Sequence, residues 1–482
     1  MAFPRLIFEN EILPSASEPD AIADLKLDLL FSEDVSRFLT LRPEKQTLLL
    51  RREMFSALLA DKNSSPLLTS ISQTLTEAES LYRAHTTAPC ENTASFAFVF
   101  LMCKLAHFCE LACQTSGYGR LFERFSTYFA KYSQDSAFIS ASEEATLIAS
   151  ELKSISAFSL KTDTESAKVY PSSGSKMTAA LRECARELDI PIKERTPFSF
   201  VLGKSVSEAL GKVYPEQFSK AVAFTLKYRT LVSGEIFDYL PELKFILGIV
   251  DFTREAEKAG IPYCFPTLCE ERRIALKNVY DVTLIKKESL KIVPNDVDFS
   301  ENEPFFYLTG ANGGGKTTYL RAVGGAMLLF LAGAPVFCQS GEASLLSAVY
   351  THFPRDERFE GTGRFLDEKK RVDAILDSQD GNALILLNET FATTGEEKAI
   401  EQTGILARHL HASGNFGLYI THQHDVAEKE IPFLGVTVDE NDSNRRTYRI
   451  EKRRLPPRSF AKDILEKYRL DRASLMGRFG LK

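Results

Sequence analysis

The sequence predicts an α/β domain, a mostly parallel sheet flanked by helices, preceded by a mainly α-helical region. Three observations carry that expectation. Short apolar runs at 305–310, 383–389 and 417–421 alternate with helical stretches, the rhythm of parallel strands joined by crossover helices. The first run opens directly into a glycine-rich loop. Over most of 21–114 and 207–259, by contrast, the apolar residues follow a helical pattern.

A chain of 482 residues exceeds one ordinary domain, so more than one is expected. Its 44% hydrophobic and 26% charged residues suit a soluble globular protein. The formal net charge of −6 excludes a uniformly basic nucleic-acid coat but leaves room for a local basic stripe. The opening residues, MAFPRLIFENEILP, hold no apolar run of signal-peptide length. The 8 cysteines are scattered without a CxxC pair and read as reduced thiols of a cytoplasmic protein.

In chain order, residues 95–114 are apolar nearly all round and predict a central buried helix. Cys103, His107, Cys109 and Cys113 lie close together on it; they read as core residues, with a metal site as the alternative. Residues 155–170 turn polar with short β-like runs, and PSSGS at 171–175 reads as a loop. The segment Ser207–Ala259 predicts two or three long helices, broken near Pro215, Ser233–Gly234 and Pro241 and stopped at Gly260 with Pro262 beyond. A boundary in 260–271 then gives a helical region over 1–265, with a small insertion near 150–205, and an α/β domain over 266–482. The longest apolar stretch, Ala322–Cys338, contains Pro335; a buried helix running into a strand explains it better than a membrane span. Residues 435–452 read as a hairpin and 459–479 as two short helices.

The strongest motif is Gly310-Ala311-Asn312-Gly313-Gly314-Gly315-Lys316-Thr317, which fits G-x-x-x-x-G-K-[ST] at every fixed position. Glycines let the backbone fold into a nest of N–H groups aimed at phosphates, and the helix that follows adds its positive end. Lys316 is expected on the β- and γ-phosphates, Thr317 on Mg²⁺, and Thr318 beside them, so ATP and Mg²⁺ are the expected cofactors. The second motif is the apolar strand ending in Asn388-Glu389. Strand-end carboxylates in such proteins serve Mg²⁺ and the attacking water. Glu389 is the natural general base, while Asn388 stands where an aspartate is usual and brings no charge. The third is Thr421-His422, at the end of a parallel strand, where a histidine faces the ligand crevice and is able to sense the γ-phosphate.

Together these motifs resemble the ATPase domain of the MutS family, the DNA mismatch-repair proteins and their relatives. TGANGGGKTTYLR (309–321) is similar to that family's phosphate loop, including Asn312. VPND (293–296) resembles its strand beside the adenine, which nominates Val293 and Asn295. LILLNETFATT (384–394) is similar to its second acidic motif and ITHQHD (420–425) to its histidine switch. Ser459–Arg478 resembles its C-terminal helical dimerisation element. The resemblance implies a P-loop NTPase domain behind lever helices, a homodimer closing on two composite ATP sites, and DNA, selected by structure rather than sequence, as the partner. A role in DNA repair or recombination follows.

Departures from the family pattern bear on each implication. No convincing mismatch-reading domain is legible in the residues before the helices, and the insertion at 150–205 is small for the family's clamp. Phe31-Ser32-Glu33 fits a Phe-x-Glu wedge, but with 35 Phe and 65 acidic residues such tripeptides arise by chance. Asn388 implies slow hydrolysis. In the family a Ser/Thr-rich helix start reaches across the dimer. Here EGTGRFLDEKKR (360–371) has Gly363 at the serine position with Arg364 beside it. Arg364 is either an arginine finger in trans or a solvated basic residue. Two rival readings stay open, an ATP-binding switch with little hydrolysis and an assembly protein whose partner is a protein. No LSGGQ-like stretch and no nuclease domain is evident.

Overall fold

The computed structural model describes residues 5–7, 19–41, 44–154, 158–162, 167–171, 204–285, 292–310, 312–354, 364–378, 380–390, 396–421, 431–438 and 446–452. Contacts divide the chain into two compact units, one of Met1–Glu9 and Ala57–Leu247, the other of Asn10–Ser56 and Gly248–Lys482.

The first unit is helical. Its axis is the helix Glu91–Cys113, packed against Ser64–Thr87, Gly119–Ser133, Ser136–Ser154 and Pro215–Tyr228. Neighbours on several sides explain why Phe96, Phe98, Leu101, Leu105 and Phe108 are all buried and only a narrow stripe with Lys104, His107 and Glu110 stays polar. Among the described residues it is the one helix long and apolar enough to cross a membrane, a test that a core helix also meets. Cys109 is buried on it, and burial pushes its thiol upward. His107 is exposed and reaches Glu110 at 3.2 Å. No group of three metal-ligating side chains occurs among the described residues. The β-like runs of the insertion form an antiparallel pair, β1 (Phe158–Thr162) with β2 (Ala167–Pro171). The expected loop after Pro171 lies outside the described residues.

The helix breaks fall where proline geometry allows. Pro215 opens the helix Pro215–Tyr228, and the Ser233 side chain accepts from Glu235 N at the next turn. Pro241 breaks nothing, against expectation. It is the third residue of Tyr239–Lys258, in the first turn, where a missing N–H costs no helical hydrogen bond. Gly260, at φ 76°, ends that helix as predicted, and the N–H groups of Gly260 and Ile261 return to Glu257 and Ala256.

The second unit carries two sheets built from β3 (Thr267–Cys269), β4 (Arg273–Val279), β5 (Asn295–Ser300), β6 (Phe305–Thr309), β7 (Ser340–Ser344), β8 (Val349–His352), β9 (Leu384–Asn388), β10 (Phe416–Ile420), β11 (Phe433–Val438) and β12 (Arg446–Lys452). The larger sheet has the order β12-β11-β6-β10-β9-β8. All its pairings are parallel except β11 with β12, the expected hairpin. Alternate residues cover its two faces. Tyr307, Ile385, Leu387 and Tyr419 pack under helices Arg364–Ser378 and Glu396–Ala412 through Val372, Ile375, Leu406 and Leu410. On the other face Leu386 meets the helix Lys316–Leu331 at Gly324, where a Cβ would stand 2.8 Å from its Cδ1. The stretch Ala322–Cys338 is thus the buried helix foreseen, leading to β7. The smaller sheet, β3-β7-β4-β5, is mixed.

A single boundary near residue 265 does not describe this division. Residues 19–56 pack with the α/β unit. Asp24 accepts from Thr351 Oγ1 at 2.8 Å, and Asp20 and Asp24 pair with Arg371 at 3.2 and 3.4 Å. Arg51 donates to Ala332 O at 3.3 Å. These partners lie some three hundred residues away in sequence, so no local pattern announces them. The C-terminal residues expected to form a dimerisation element lie outside the described residues.

Candidate functional site

Three strands of the larger sheet end together. Leu308 is level with Ile420, and Ile420 with Asn388. The ladder runs one step further, Thr421 N donating to Leu308 O at 3.2 Å and Glu389 N to Ile420 O at 3.1 Å. The glycine loop, Asn388-Glu389 and Thr421 therefore open on one edge, where open α/β sheets hold ligands. Gly310, Gly313 and Gly315 have φ of 139°, 70° and 96°, in the region that favours glycine. A Cβ at Gly310 would also stand 2.9 Å from Val436 Cβ. Gly315 caps the helix Lys316–Leu331, whose first N–H groups have no helical partners and face an incoming anion. Ala311 lies outside the described residues.

Lys316 is 6% exposed, and its Nζ donates to Gly310 O at 2.8 Å. Burial lowers the ammonium's pKa to about 8; Glu389 pulls it upward and Arg446 pushes it further down. Glu389 has φ 52°, a left-handed conformation that costs a side-chain-bearing residue roughly 1–3 kcal/mol and persists only where the surroundings enforce it. The next residue supplies the enforcement. Thr390 Oγ1 lies 3.0 Å from His352 Nδ1, and Thr390 O accepts from Tyr419 OH at 3.0 Å. Thr403 Oγ1 bonds the same tyrosine at 3.0 Å. His352, buried at the end of β8, was not among the residues nominated from sequence.

A cavity of about 550 Å³ opens over the loop. Of the nominated residues, Val293, Asn295, Asn312, Gly313, Gly315, Lys316, Thr317, Thr318 and Glu389 line it. Asn295 is there in a different capacity from the one expected. Its Nδ2 donates to Tyr448 O at 3.0 Å and its Oδ1 accepts from Ile450 N at 2.8 Å, so the amide ties β5 to β12. That tie brings in Tyr448, which sequence reasoning missed. Its ring carbon Cδ1 lies 3.4 Å from a Cβ placed on Gly315, and its own φ is 59°. With Val279, Leu284, Ile292 and Ala322 it gives the cavity an apolar lining. Asn388 lies beside the cavity; its buried Oδ1 has no hydrogen-bond partner among the described residues. His422 and Gly363 lie outside the described residues. Arg364 begins the helix Arg364–Ser378, and its side chain is outside them too.

The donor set fits a magnesium-bound nucleoside triphosphate. The glycines form a cradle that side chains would fill, the buried cation requires an anion, Thr317 lines the cavity, and Asn388 Oδ1 is a buried acceptor with no donor among the described residues.

Residues 306–451 match the family model described as MutS domain V. The chain is similar to the DNA mismatch repair protein spellchecker 1 of Drosophila melanogaster, 29% identical over 192 residues, 39% of this chain and 21% of that protein. It is 28% identical over 226 residues to the DNA mismatch repair protein MSH2 of Saccharomyces cerevisiae, 45% of this chain and 23% of that one. To the DNA mismatch repair protein MutS of Chlorobium phaeobacteroides it is 29% identical over 192 residues, 39% and 22%. The chain thus spans less than a quarter of the length of these curated relatives.

Proposed function

Since the chain belongs to the MutS family, we propose that it binds and slowly hydrolyses ATP with Mg²⁺ in this cavity and couples nucleotide state to DNA binding. One observation carries the reading: Lys316, Thr317 and Glu389 line a single cavity at the C-terminal ends of parallel strands. Lys316 exchanges its bond to Gly310 O for the phosphates, and the loop's N–H groups fix them in place. The Thr317 hydroxyl is the side chain that would hold Mg²⁺, which when bound neutralises phosphate charge. Glu389 takes a proton from water as the water oxygen bonds to the γ-phosphorus and the bond to the ADP oxygen breaks. Asn388 Oδ1 is placed to accept from water in the site, beside the residues that would hold Mg²⁺, and it adds no charge there, which makes turnover slow.

The names of the relatives, DNA mismatch repair proteins, support DNA as the partner, and in this reading it is gripped by a homodimer whose two ATP sites close together. A binding panel of homoduplex, mismatched, branched and single-stranded DNA, with and without ATP, tests it. ATP-dependent affinity that weakens steeply with salt is expected, because phosphate contacts release counterions. ATP turnover with no DNA binding on any member of the panel would point to a protein partner instead. Asn388 also favours a second reading, a switch that binds ATP tightly and barely hydrolyses it. Tight binding with negligible turnover, restored by Asn388→Asp, would establish that one.

A further inference from the structure

We propose that Arg446 is a phosphate ligand of its own chain's site, bonding the terminal phosphoryl group of a bound nucleoside triphosphate. The inference rests on the nucleotide site proposed above and deepens it. Arg446 opens β12 opposite Val438. β11 runs alongside β6 with Gly435 level with Thr309, so Val438 and Arg446 stand beyond the end of β6, where the glycine loop begins. Val436, two residues before Val438 and paired with Ile450, lies against Gly310, where an added Cβ would stand 2.9 Å from its own. The Nη1 of Arg446 is buried and has no hydrogen-bond partner among the described residues. A guanidinium cannot shed its proton, so a buried, unsatisfied N–H is costly until an anion arrives. The same charge is felt at Lys316, whose hold on its proton it weakens. Lys316 lies within electrostatic reach of Arg446 and of one carboxylate, Glu389, so the two cations outnumber it and the site calls for added negative charge; the terminal phosphoryl group is what distinguishes a triphosphate from a diphosphate. The planar fork of arginine matches phosphate oxygens.

The test is equilibrium binding of ADP and of a non-hydrolysable ATP analogue to the full chain, wild type against Arg446→Ala and Arg446→Lys. A lost charge-assisted hydrogen bond weakens the analogue by about tenfold or more. ADP affinity should stay within about twofold, since its phosphates lie deeper in the loop, and lysine should recover part of the loss. Equal weakening of both nucleotides, or none, overturns the assignment to the terminal phosphate while leaving the nucleotide site standing. Failure of the wild type to bind either nucleotide overturns both.

A separate observation carries a second inference: the geometry points to Cys264 and Cys338 as a reversible disulfide site whose oxidant is a hydroperoxide. Their Sγ atoms lie 3.3 Å apart. Cys264 and Val336 exchange both backbone hydrogen bonds at 2.9 Å, which fixes the two segments together. Cys338 is buried and Cys264 half-buried. The Cys338 thiol beside it, and the charge of Arg52, favour the Cys264 thiolate; Arg52 Nη2 is itself buried without a hydrogen-bond partner among the described residues. Cys264 is therefore the nucleophile. Its thiolate attacks the terminal peroxide oxygen, the O–O bond breaks, and the departing alkoxide takes up a proton as an alcohol. The sulfenic acid formed on Cys264 is attacked by Cys338 sulfur, which loses its proton; the S–O bond breaks and water leaves. Two electrons pass from the thiol pair to one hydroperoxide. The bridge would tie the segment entering β3 to the segment between the helix Lys316–Leu331 and β7.

Hydrogen peroxide titration of the full chain, followed by non-reducing peptide mapping, tests it. A 264–338 cross-link forming before any other cysteine product, and reversed by dithiothreitol, is expected. In Cys338→Ser the Cys264 sulfenic acid should persist and be trapped by a cyclic dione. Oxidation elsewhere first, or no 264–338 cross-link, overturns the proposal.

Discussion

The Lys316 ammonium donates to the carbonyl of Gly310, 2.8 Å away, so the lysine closes back on the loop that presents it. A phosphate has only to displace one carbonyl to claim a cation already in place. Lys316→Ala removes two or so charge-assisted bonds to the phosphates, worth roughly a hundredfold in ATP affinity. It also removes a buried cation, so the fold should not suffer. Titration with a fluorescent ATP analogue beside thermal melting separates the two effects. Unchanged affinity would remove the basis for the nucleotide site.

The depressed ammonium makes binding depend on pH. Its ordinary pKa of 10.5 falls to about 8, chiefly through burial. Between those values the unfolded chain holds a proton that the folded chain lacks, so this group makes stability rise with pH across that window. Below about 8 the lysine is charged in both states and the burial penalty is fully present. A phosphate restores the proton, so binding above pH 8 takes one up and affinity falls by up to about tenfold per pH unit. Calorimetry in two buffers of different ionisation enthalpy measures the uptake, and Lys316→Arg should abolish it.

Glu389 and Asn388 divide the hydrolytic work. Glu389→Gln should keep ATP binding and slow turnover about a hundredfold, the usual scale for a lost general base. Since His352 and Tyr419 hold the turn through Thr390, it should keep its shape in that variant. Turnover that survives would move the base elsewhere, His422 being next. Asn388→Asp adds charge at a buried acceptor and should lower the Mg²⁺ concentration needed for half-maximal rate. Identical titrations would mean the missing charge is of no consequence.

What could be read from the sequence follows from burial. β6, β9 and β10 lie inside the sheet, covered on both faces, so they appear as unbroken apolar runs. β5 alternates, with Asn295, Val297 and Phe299 buried, and β7 is short and half polar, so the smaller sheet left no comparable trace. The glycine loop was legible because phosphate binding dictates both spacing and residue type. Tyr448, His352 and Arg446 were not, because each reaches the site through pairing between strands distant in sequence. The packing of Asp20, Asp24 and Arg51 on the α/β unit was hidden for the same reason, and Pro241 misled because a first-turn proline and a helix-breaking one look alike in sequence.

Phe31 offers a test of mismatch reading. Its ring is 6% exposed and packs edge-on to Phe252 at 5.1 Å, the position of a core residue rather than of a wedge held out to DNA. Preference for a single mismatch over homoduplex should stay below about tenfold, within what one good base contact supplies. Phe31→Ala should cost about 3–5 kcal/mol of stability through its cavity and leave that preference unchanged. A strong mismatch preference lost in a folded Phe31→Ala protein would overturn this.

Two arginines compete for the role of completing the phosphate site, and subunit mixing separates them. Arg364 belongs to a helix start that, by family resemblance, serves the partner's site; Arg446 lies on the strand beside its own loop. A Lys316→Ala chain still carries Arg364, and an Arg364→Ala chain still carries an intact loop. If Arg364 acts in trans, each mutant alone is inactive, and their heterodimer regains one complete site. Its ATPase activity should therefore reappear on mixing. Lys316→Ala mixed with Arg446→Ala behaves in the opposite way if Arg446 acts in cis. One site then lacks the lysine and the other lacks its own arginine, so no mixture recovers. Recovery in the second mixture would place Arg446 across the interface, and failure of the first, with heterodimers shown to form, would remove Arg364 from the partner's site.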